Sequence, residues 1–255
     1  MHTNERALFI FAHQDDEVAI APRIVQEVEA GNSVFCAYLT NGTAKGVPTE
    51  TRCAESLRVL EELGAGTIEI AFIGNALGTA DGQLSTQLSL TYQALLDWIA
   101  TWQAPPSKLY FLAWEGGHHD HDAVHAIGLT LARHYPRATA WQFPLYNGYR
   151  TRGRFFRVMH ALPNWGAPDI LRLSLSGGLR FASLCASYPS QWRTWVGLFP
   201  GIFRAYVLQR CHHLYPVDKN AVAKPPHEGS LLYERMFGVD RASVLANVTA
   251  LTQGN

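Results

Sequence analysis

The stretch Leu8-Phe9-Ile10-Phe11-Ala12-His13-Gln14-Asp15-Asp16-Glu17 passes abruptly from apolar residues to one imidazole and three carboxylates. Apolar strands of α/β folds deliver their functional groups at their carboxyl ends, where loops open into a crevice. Packing does not explain a ligand set at such a place. A second cluster lies further on, Gly117-His118-His119-Asp120-His121-Asp122-Ala123-Val124-His125. The two together point to a mononuclear metal hydrolase.

Outward from that first strand, residues 1–149 alternate strand-like with helix-like patterns. Ala7–Phe11, Val34–Leu39, Ile68–Ile73, Lys108–Leu112 and Ala138–Phe143 read as strands, being short, apolar and rich in β-branched or aromatic residues. Arg23–Ala30, Glu50–Leu63, Ser89–Trp102 and Ala123–His134 read as helices. Pro22 suits a first helical turn, and Gly31-Asn32 and Gly64-Ala65-Gly66 suit the ends of the first two helices. Asp120 or Asp122 is expected to cap the helix beginning near Ala123, with His121 at its start. The alternation predicts an α/β fold, a mostly parallel sheet covered by helices.

Beyond Tyr149 the pattern changes. Arg150–Arg157, Leu171–Arg180, Trp192–Trp195 and Leu198–Arg210 mix arginine with aromatic and aliphatic residues, and helix boundaries are not readable there. Residues 1–149 are expected to form the metal-binding catalytic core. Residues 150–255 are expected to be a C-terminal elaboration that completes the pocket, not an independent domain.

Composition bounds the alternatives. Across 255 residues, 47% hydrophobic and 16% charged content is that of a globular protein and argues against disorder. The four cysteines show no C-x-x-C spacing, so neither a thiolate zinc site nor a redox pair is expected. The start Met1-His2-Thr3-Asn4-Glu5-Arg6 lacks the pattern of a signal peptide, and no apolar run approaches the roughly 20 residues that span a bilayer. A cytoplasmic location is the expectation. The zero net charge hides an asymmetry: 8 Lys/Arg against 16 Asp/Glu in residues 1–149, and 9 Arg against Asp169 alone in 150–215. Such a basic segment fits contact with the acidic part or a second subunit, an anionic substrate group, or peripheral contact with an anionic membrane surface. No recognition motif accompanies the charge, so nucleic acid is not an expected partner.

A catalytic zinc site takes three protein ligands and keeps a fourth position open. His13 and Asp16, with one histidine of the second cluster, supply that number and type. Asp15 is then left beside the metal, free to take a proton from water activated there. Spacing leaves open which of His118, His119, His121 and His125 ligates. A histidine held by a carboxylate suits stabilising an oxyanion or protonating a leaving group, and Asp120 is the nearest carboxylate to orient such a histidine or to support a ligating one.

Ala12-His13-Gln14-Asp15-Asp16-Glu17 resembles the A-H-P-D-D-E signature, and His118-His119-Asp120-His121 the H-P-D-H signature, of the PIG-L or LmbE-like zinc-dependent N-deacetylases. Weaker echoes are Leu39-Thr40-Asn41-Gly42, Arg52-x-x-Glu55, Phe143-Pro144-Leu145-Tyr146 and Tyr188-x-Ser190-Gln191. The resemblance implies a Rossmann-like three-layer fold and hydrolysis of an N-acetylated amino sugar of the N-acetylglucosamine type, or its conjugate. It implies His13, Asp16 and His121 as Zn(2+) ligands, Asp15 as general base and His118 as the oxyanion or acid partner. Gln14 and His119 replace the family's prolines, which removes two rigid φ angles and is expected to loosen both loops.

Other residues stand at the edge of this reading. Glu17 is expected to orient a ligand or cap a helix. Arg52, Tyr146, Asn147 and His227 are candidate substrate contacts, and His119 is expected to face solvent or substrate. His125 is a weaker ligand candidate, four residues beyond His121. Iron or cobalt also suits a His/Asp set. Rival functions are a zinc amidase for another acyl or thiol conjugate, and a non-catalytic metal-dependent sugar-binding module. A Rossmann nucleotide binder is disfavoured, since no G-x-G-x-x-G follows the first strand. Neither oligomeric state nor the identity of the sugar is readable.

Overall fold

The computed structural model describes residues 5–43, 46–64 and 66–253. Met1–Asn4, read for a leader, and Ala65, read into the second helix cap, lie outside the described residues. The elements in order are β1 Arg6–Phe11, α1 Ala21–Glu29, β2 Ser33–Tyr38, α2 Thr49–Gly64, β3 Ile68–Phe72, α3 Ile73–Leu77, α4 Leu88–Ala100, β4 Lys108–Leu112, α5 His119–His134 and β5 Thr139–Phe143. They continue with β6 Tyr146–Asn147, β7 Arg157–Val158, β8 Asp169–Arg172, α6 Leu175–Ser183, α7 Trp192–Phe203, β9 Cys211–Pro216, α8 Leu232–Phe237 and α9 Arg241–Gln253.

The central sheet has the order β3-β2-β1-β4-β5-β9-β8. Its first five strands are parallel, and β9 and β8 extend it antiparallel. Residues 7–12 are wholly buried, because β1 is central and covered on both faces, which is why it reads as a continuous apolar run. Chain order reverses between β1 and β4, the switch point at which such sheets open a crevice. Both polar clusters follow these two strands, so they meet at the same edge.

Helix α5 fixes the second cluster. It is buried from His119 to Leu131 and packs on β4, where a Cβ at Gly128 would strike the ring of Phe111. That glycine allows the close approach that carries the helix start to the crevice. The helix begins at His119, not near Ala123, and its cap is His118, in extended conformation (φ −122°, ψ 138°), whose Nδ1 accepts the Asp120 N–H at 3.1 Å. Neither Asp120 nor Asp122 caps it. Their carboxylates accept from other segments: Asp120 from Gly82 and Leu84 N–H, Asp122 from Glu115 and Gly116 N–H.

The replaced prolines are compensated by side chains. Gln14 is buried and donates its amide to Thr40 O at 3.1 Å. His119 is also buried, not turned to solvent or substrate; its ring lies 2.9 Å from Gly82 O and stacks on His118.

Candidate active site

Three ligand atoms converge where β1 meets α5. His121 Nε2 lies 3.3 Å from His13 Nδ1 and 3.4 Å from Asp16 Oδ1. The other oxygen of Asp16 is taken by the backbone, accepting the N–H groups of Ala12 (2.9 Å) and His13 (2.8 Å), so one oxygen faces the two imidazoles. Bonds of about 2.0–2.2 Å to a tetrahedral zinc require ligand atoms about 3.3–3.5 Å apart. Two of the three edges have that length, His13 Nδ1 lies 3.9 Å from the Asp16 carboxylate, and all three residues are buried. This donor set therefore fits a divalent cation.

The surroundings are arranged for the same charge. His13 Nε2 sits 3.1 Å from both Asp120 Oδ2 and Asp81 Oδ1. Burial opposes a positive His13, but Asp81, Asp120 and Asp16 outweigh it and hold its pKa well above the ordinary value. Asp16 is held down to about 2, burial being overcome by His121 and His13. Asp16, Asp81 and Asp120 thus concentrate negative charge around His13, which favours a cation there, the ring giving up its proton when it ligates one.

Asp15 stands beside the triangle without joining it. Its backbone has φ 147°, a region costing a non-glycine residue about 1–3 kcal/mol, and the neighbours hold it there. Glu17 Oε2 accepts the Asp15 N–H at 2.9 Å, and Arg52 Nη2 meets Asp15 Oδ1 at 3.0 Å. Burial pushes the Asp15 carboxyl up to about 7 against the pull of Arg52. Glu17 thus holds the Asp15 backbone, and is itself held by the Tyr188 hydroxyl at 2.5 Å.

His118 presents the opposite case. Its Nδ1 accepts the Asp120 N–H, which leaves the ring hydrogen on Nε2, 3.6 Å from Asp81 Oδ1. Burial, with His13 nearby, lowers its pKa to about 3. The carboxylate of Asp120 supports the ring of His13, while its backbone orients His118. His125 is buried away from the triangle, with Nδ1 3.1 Å from Leu112 O.

These groups open into a cavity of about 350 Å³ lined by His13, Asp15, Arg52, Asp81, His118 and Tyr146, with Phe156, Gln191, Arg193, Leu198 and Phe237 on the far side. Two expected substrate contacts lie elsewhere. Asn147 is wholly buried, donating to Glu115 Oε2 and to His160 O, so it braces the wall. His227 belongs to a separate cleft with Tyr149, Arg150 and Asn164, its ring fixed on Glu228 O at 2.8 Å. Arg52 lines the cavity, but its guanidinium is committed to Gly42 O (2.7 Å), Gln14 O (2.5 Å) and Asp15.

Asp81 and Glu115 were not singled out by sequence. Asp81 is a lone acid in Thr79-Ala80-Asp81-Gly82, and the one available signal is that this turn follows β3 and so reaches the same edge of the sheet. Glu115 accepts the N–H groups of Leu145 and Tyr146 at 2.8 and 2.9 Å, fixing the wall that carries Tyr146. Burial raises its pKa to about 7 despite those donors.

A parallel sheet with a buried His/carboxylate cluster at its switch point defines an α/β protein equipped to hold a metal in a crevice. Residues 8–132 match the PIG-L family, described as GlcNAc-PI de-N-acetylase, so the chain carries a PIG-L domain over that stretch, that of a hydrolase acting on amide C–N bonds. No curated protein matches the sequence. Among solved structures it is similar to the A40926 pseudoaglycone deacetylase Dbv21 (16% identity, TM-score 0.60, covering 85% of this chain and 98% of that one). A deacetylase of the teicoplanin biosynthesis pathway is similar at 16% identity and TM-score 0.62, covering 83% and 97%. So is GalB, the 4-carboxy-2-hydroxymuconate hydratase of Pseudomonas putida KT2440, at 13% identity and TM-score 0.51, covering 84% and 96%. At such identities these likenesses establish the fold.

Proposed function

We propose that this chain is a zinc-dependent N-deacetylase that hydrolyses the acetamide of an N-acetylglucosamine-type amino sugar or its conjugate, releasing acetate and a free amine. The observation that carries the reading is a buried carboxylate, Asp15, held beside but outside a His13–Asp16–His121 cluster whose ligand atoms all lie within 4.8 Å of one another. A pure sugar-binding module has no use for such a base. The deacetylases similar in fold are named for glycopeptide antibiotics, which supports a sugar conjugate as substrate.

His13, Asp16 and His121 would hold the cation, which supplies polarisation of the amide carbonyl and acidification of water. Asp15, with a pKa matched to neutral pH, takes the proton of the attacking water. His118 offers its Nε2–H to the oxygen on which negative charge develops, and a neutral imidazole at a helix start suits that task. Since that ring has one hydrogen and donates it there, Asp15 returns its proton to the departing amine. Residues 150–255 complete the pocket around the 1–149 core through Gln191, Arg193, Leu198 and Phe237, and Arg193 suits an anionic group on the conjugate.

The test is amine release from a panel of N-acetylglucosamine conjugates by the zinc-loaded chain. Stoichiometric acetate and amine, absent with Asp15→Asn, is the expected result. Hydration of a carbon–carbon double bond without amine release, the chemistry named for the similar hydratase, would replace this reading.

A further inference from the structure

Among the described residues, eight of the eleven large apolar side chains that stand exposed fall within 150–215, the same segment that carries nine arginines and one aspartate. Trp192, Val196 and Phe199 recur at i, i+4 and i+7 on the outer face of α7, at 60%, 69% and 42% exposure, while Trp195, Leu198 and Ile202 are its buried face. An apolar cleft of about 530 Å³ runs beside that stripe, bounded by Ala182, Cys185 and Tyr188. Leu175 and Leu179 are exposed on α6, which packs against α7. The 150–157 loop packs on the adjoining, cavity-side flank of α7, where Phe156 rests on Gly197, and leaves Phe155 79% exposed.

With one exception, the arginines of this segment have no acid within ion-pair distance among the described residues. The exception is Arg180, 3.9 Å from Glu62, and Asp169 is taken by Arg23. Arg193 lies over the Trp192 ring at 5.3 Å, and Arg172, Arg180 and Arg204 are exposed. Apolar stripes flanked by arginine, with tryptophan at the boundary, are the composition of a helix that lies in a lipid–water interface. We propose that the face formed by α6 and the exposed stripe of α7 docks on an anionic lipid bilayer. The apolar stripe enters the headgroup boundary while the arginines meet lipid phosphates.

Two other occupants fit less well. A second copy seated symmetrically on this face would set the same unneutralised arginines on both sides of the contact, with no acid of the segment but Asp169 to offset them. Nucleic acid would satisfy the arginines but leave Val196 and Phe199 in water. The docking is peripheral, since no helix among the described residues is long and apolar enough to cross a membrane. Because Arg193, Thr194 and Leu198 of α7 also line the catalytic cavity, docking places that cavity within about one helix diameter of the bilayer surface. The inference does not depend on which amide the cavity cleaves.

The test is co-sedimentation of the full chain with phosphatidylglycerol–phosphatidylcholine vesicles and with pure phosphatidylcholine vesicles, for wild type and two folded double variants. These are Trp192→Ser/Phe199→Ser and Arg172→Glu/Arg204→Glu, all at exposed positions outside the catalytic cavity. Expected are binding to the anionic vesicles alone, weakening with salt, and partitioning at least about tenfold weaker in each variant. No binding by wild type overturns the proposal, as does binding undiminished in both variants. So does a wild-type dimer, without vesicle binding, that Trp192→Ser/Phe199→Ser makes monomeric; the face would then be an interface between copies.

Discussion

Arg52 and Arg204 carry the same charge in opposite circumstances. Arg52 is 2% exposed and spends its guanidinium on two carbonyls and on Asp15. Arg204 stands in solvent at the end of α7, with no acid in ion-pair range among the described residues. The same contrast separates the carboxyl edge of the sheet from the 150–215 segment. At the edge, each charge is held by a named neighbour and all but the partly exposed Asp81 are buried, because position is what the proposed chemistry uses. Along the segment, charge is left free, so its effect is collective and directed outside the chain.

If that contrast is right, substitution at the edge is costly and substitution along the segment is not. The largest effect is expected for His121→Ala, which removes one corner of the ligand triangle. Elemental analysis after dialysis should find about one zinc per wild-type chain and none in the folded variant, with deacetylation abolished. Equal zinc in both would dissolve the link between the two clusters. Asp15→Asn comes next. It leaves the triangle intact, so zinc content should match wild type while turnover falls about 10²–10⁴-fold. A variant that deacetylates at the wild-type rate removes Asp15 from the role of base.

The edge was also the legible region. Leu8–Phe11 reads as a strand because a strand covered on both faces needs no polar residue, and β1 and β4 occupy the residues their apolar runs mark, within one position. The start of α5 is not legible in the sequence because its first turn is His119-Asp120-His121-Asp122, polar residues that are buried by one another and by the loops they hold. Hydrophobic periodicity begins only at Ala123, where the reading placed the helix. The same limit hid Asp81, whose part depends on a turn after β3 reaching across to His13 and His118. Beyond Tyr149, β8 and β9 carry no clean alternation, since strands at the end of the sheet are set by pairing, β9 on β5 and β8 on β9, and not by pattern. Tyr188-x-Ser190-Gln191 was legible as a motif, but not what it does. Tyr188 donates to Glu17 and Ser190 to Glu55, tying this segment to the loop and helix that hold Asp15.

Two further substitutions measure how tightly the edge is held. Arg52→Met leaves the Asp15 carboxylate buried without its cation, and removing one partner of a buried pair costs about 3–5 kcal/mol. Urea unfolding at neutral pH should show that loss. Glu115 tests the same region by pH. Its carboxyl is raised from near 4.5 to about 7 by burial, so the folded chain keeps a proton that the unfolded chain releases. Stability from this group is therefore full below about pH 4.5 and is lost as pH rises through 7. Wild type should lose about 3 kcal/mol relative to Glu115→Gln over that interval. A difference that stays constant with pH would mean the three donors on Glu115 keep it ionised throughout.

The smallest effect is expected where the contrast predicts almost none. Arg204→Glu reverses a charge that touches no acid, on a surface already strongly positive, so the folded state loses no pairing and gains slightly by reduced repulsion. Its unfolding free energy should stay within about 0.5 kcal/mol of wild type, and its zinc content and turnover on a soluble substrate should not change. A loss as large as that of Arg52→Met would show that the segment's arginines serve the fold itself, and the two regions would then differ in exposure but not in purpose. Stability unchanged together with weakened vesicle binding separates them as stated: charge fixed in place for the reaction at one edge, and charge held free for a partner on the face beside it.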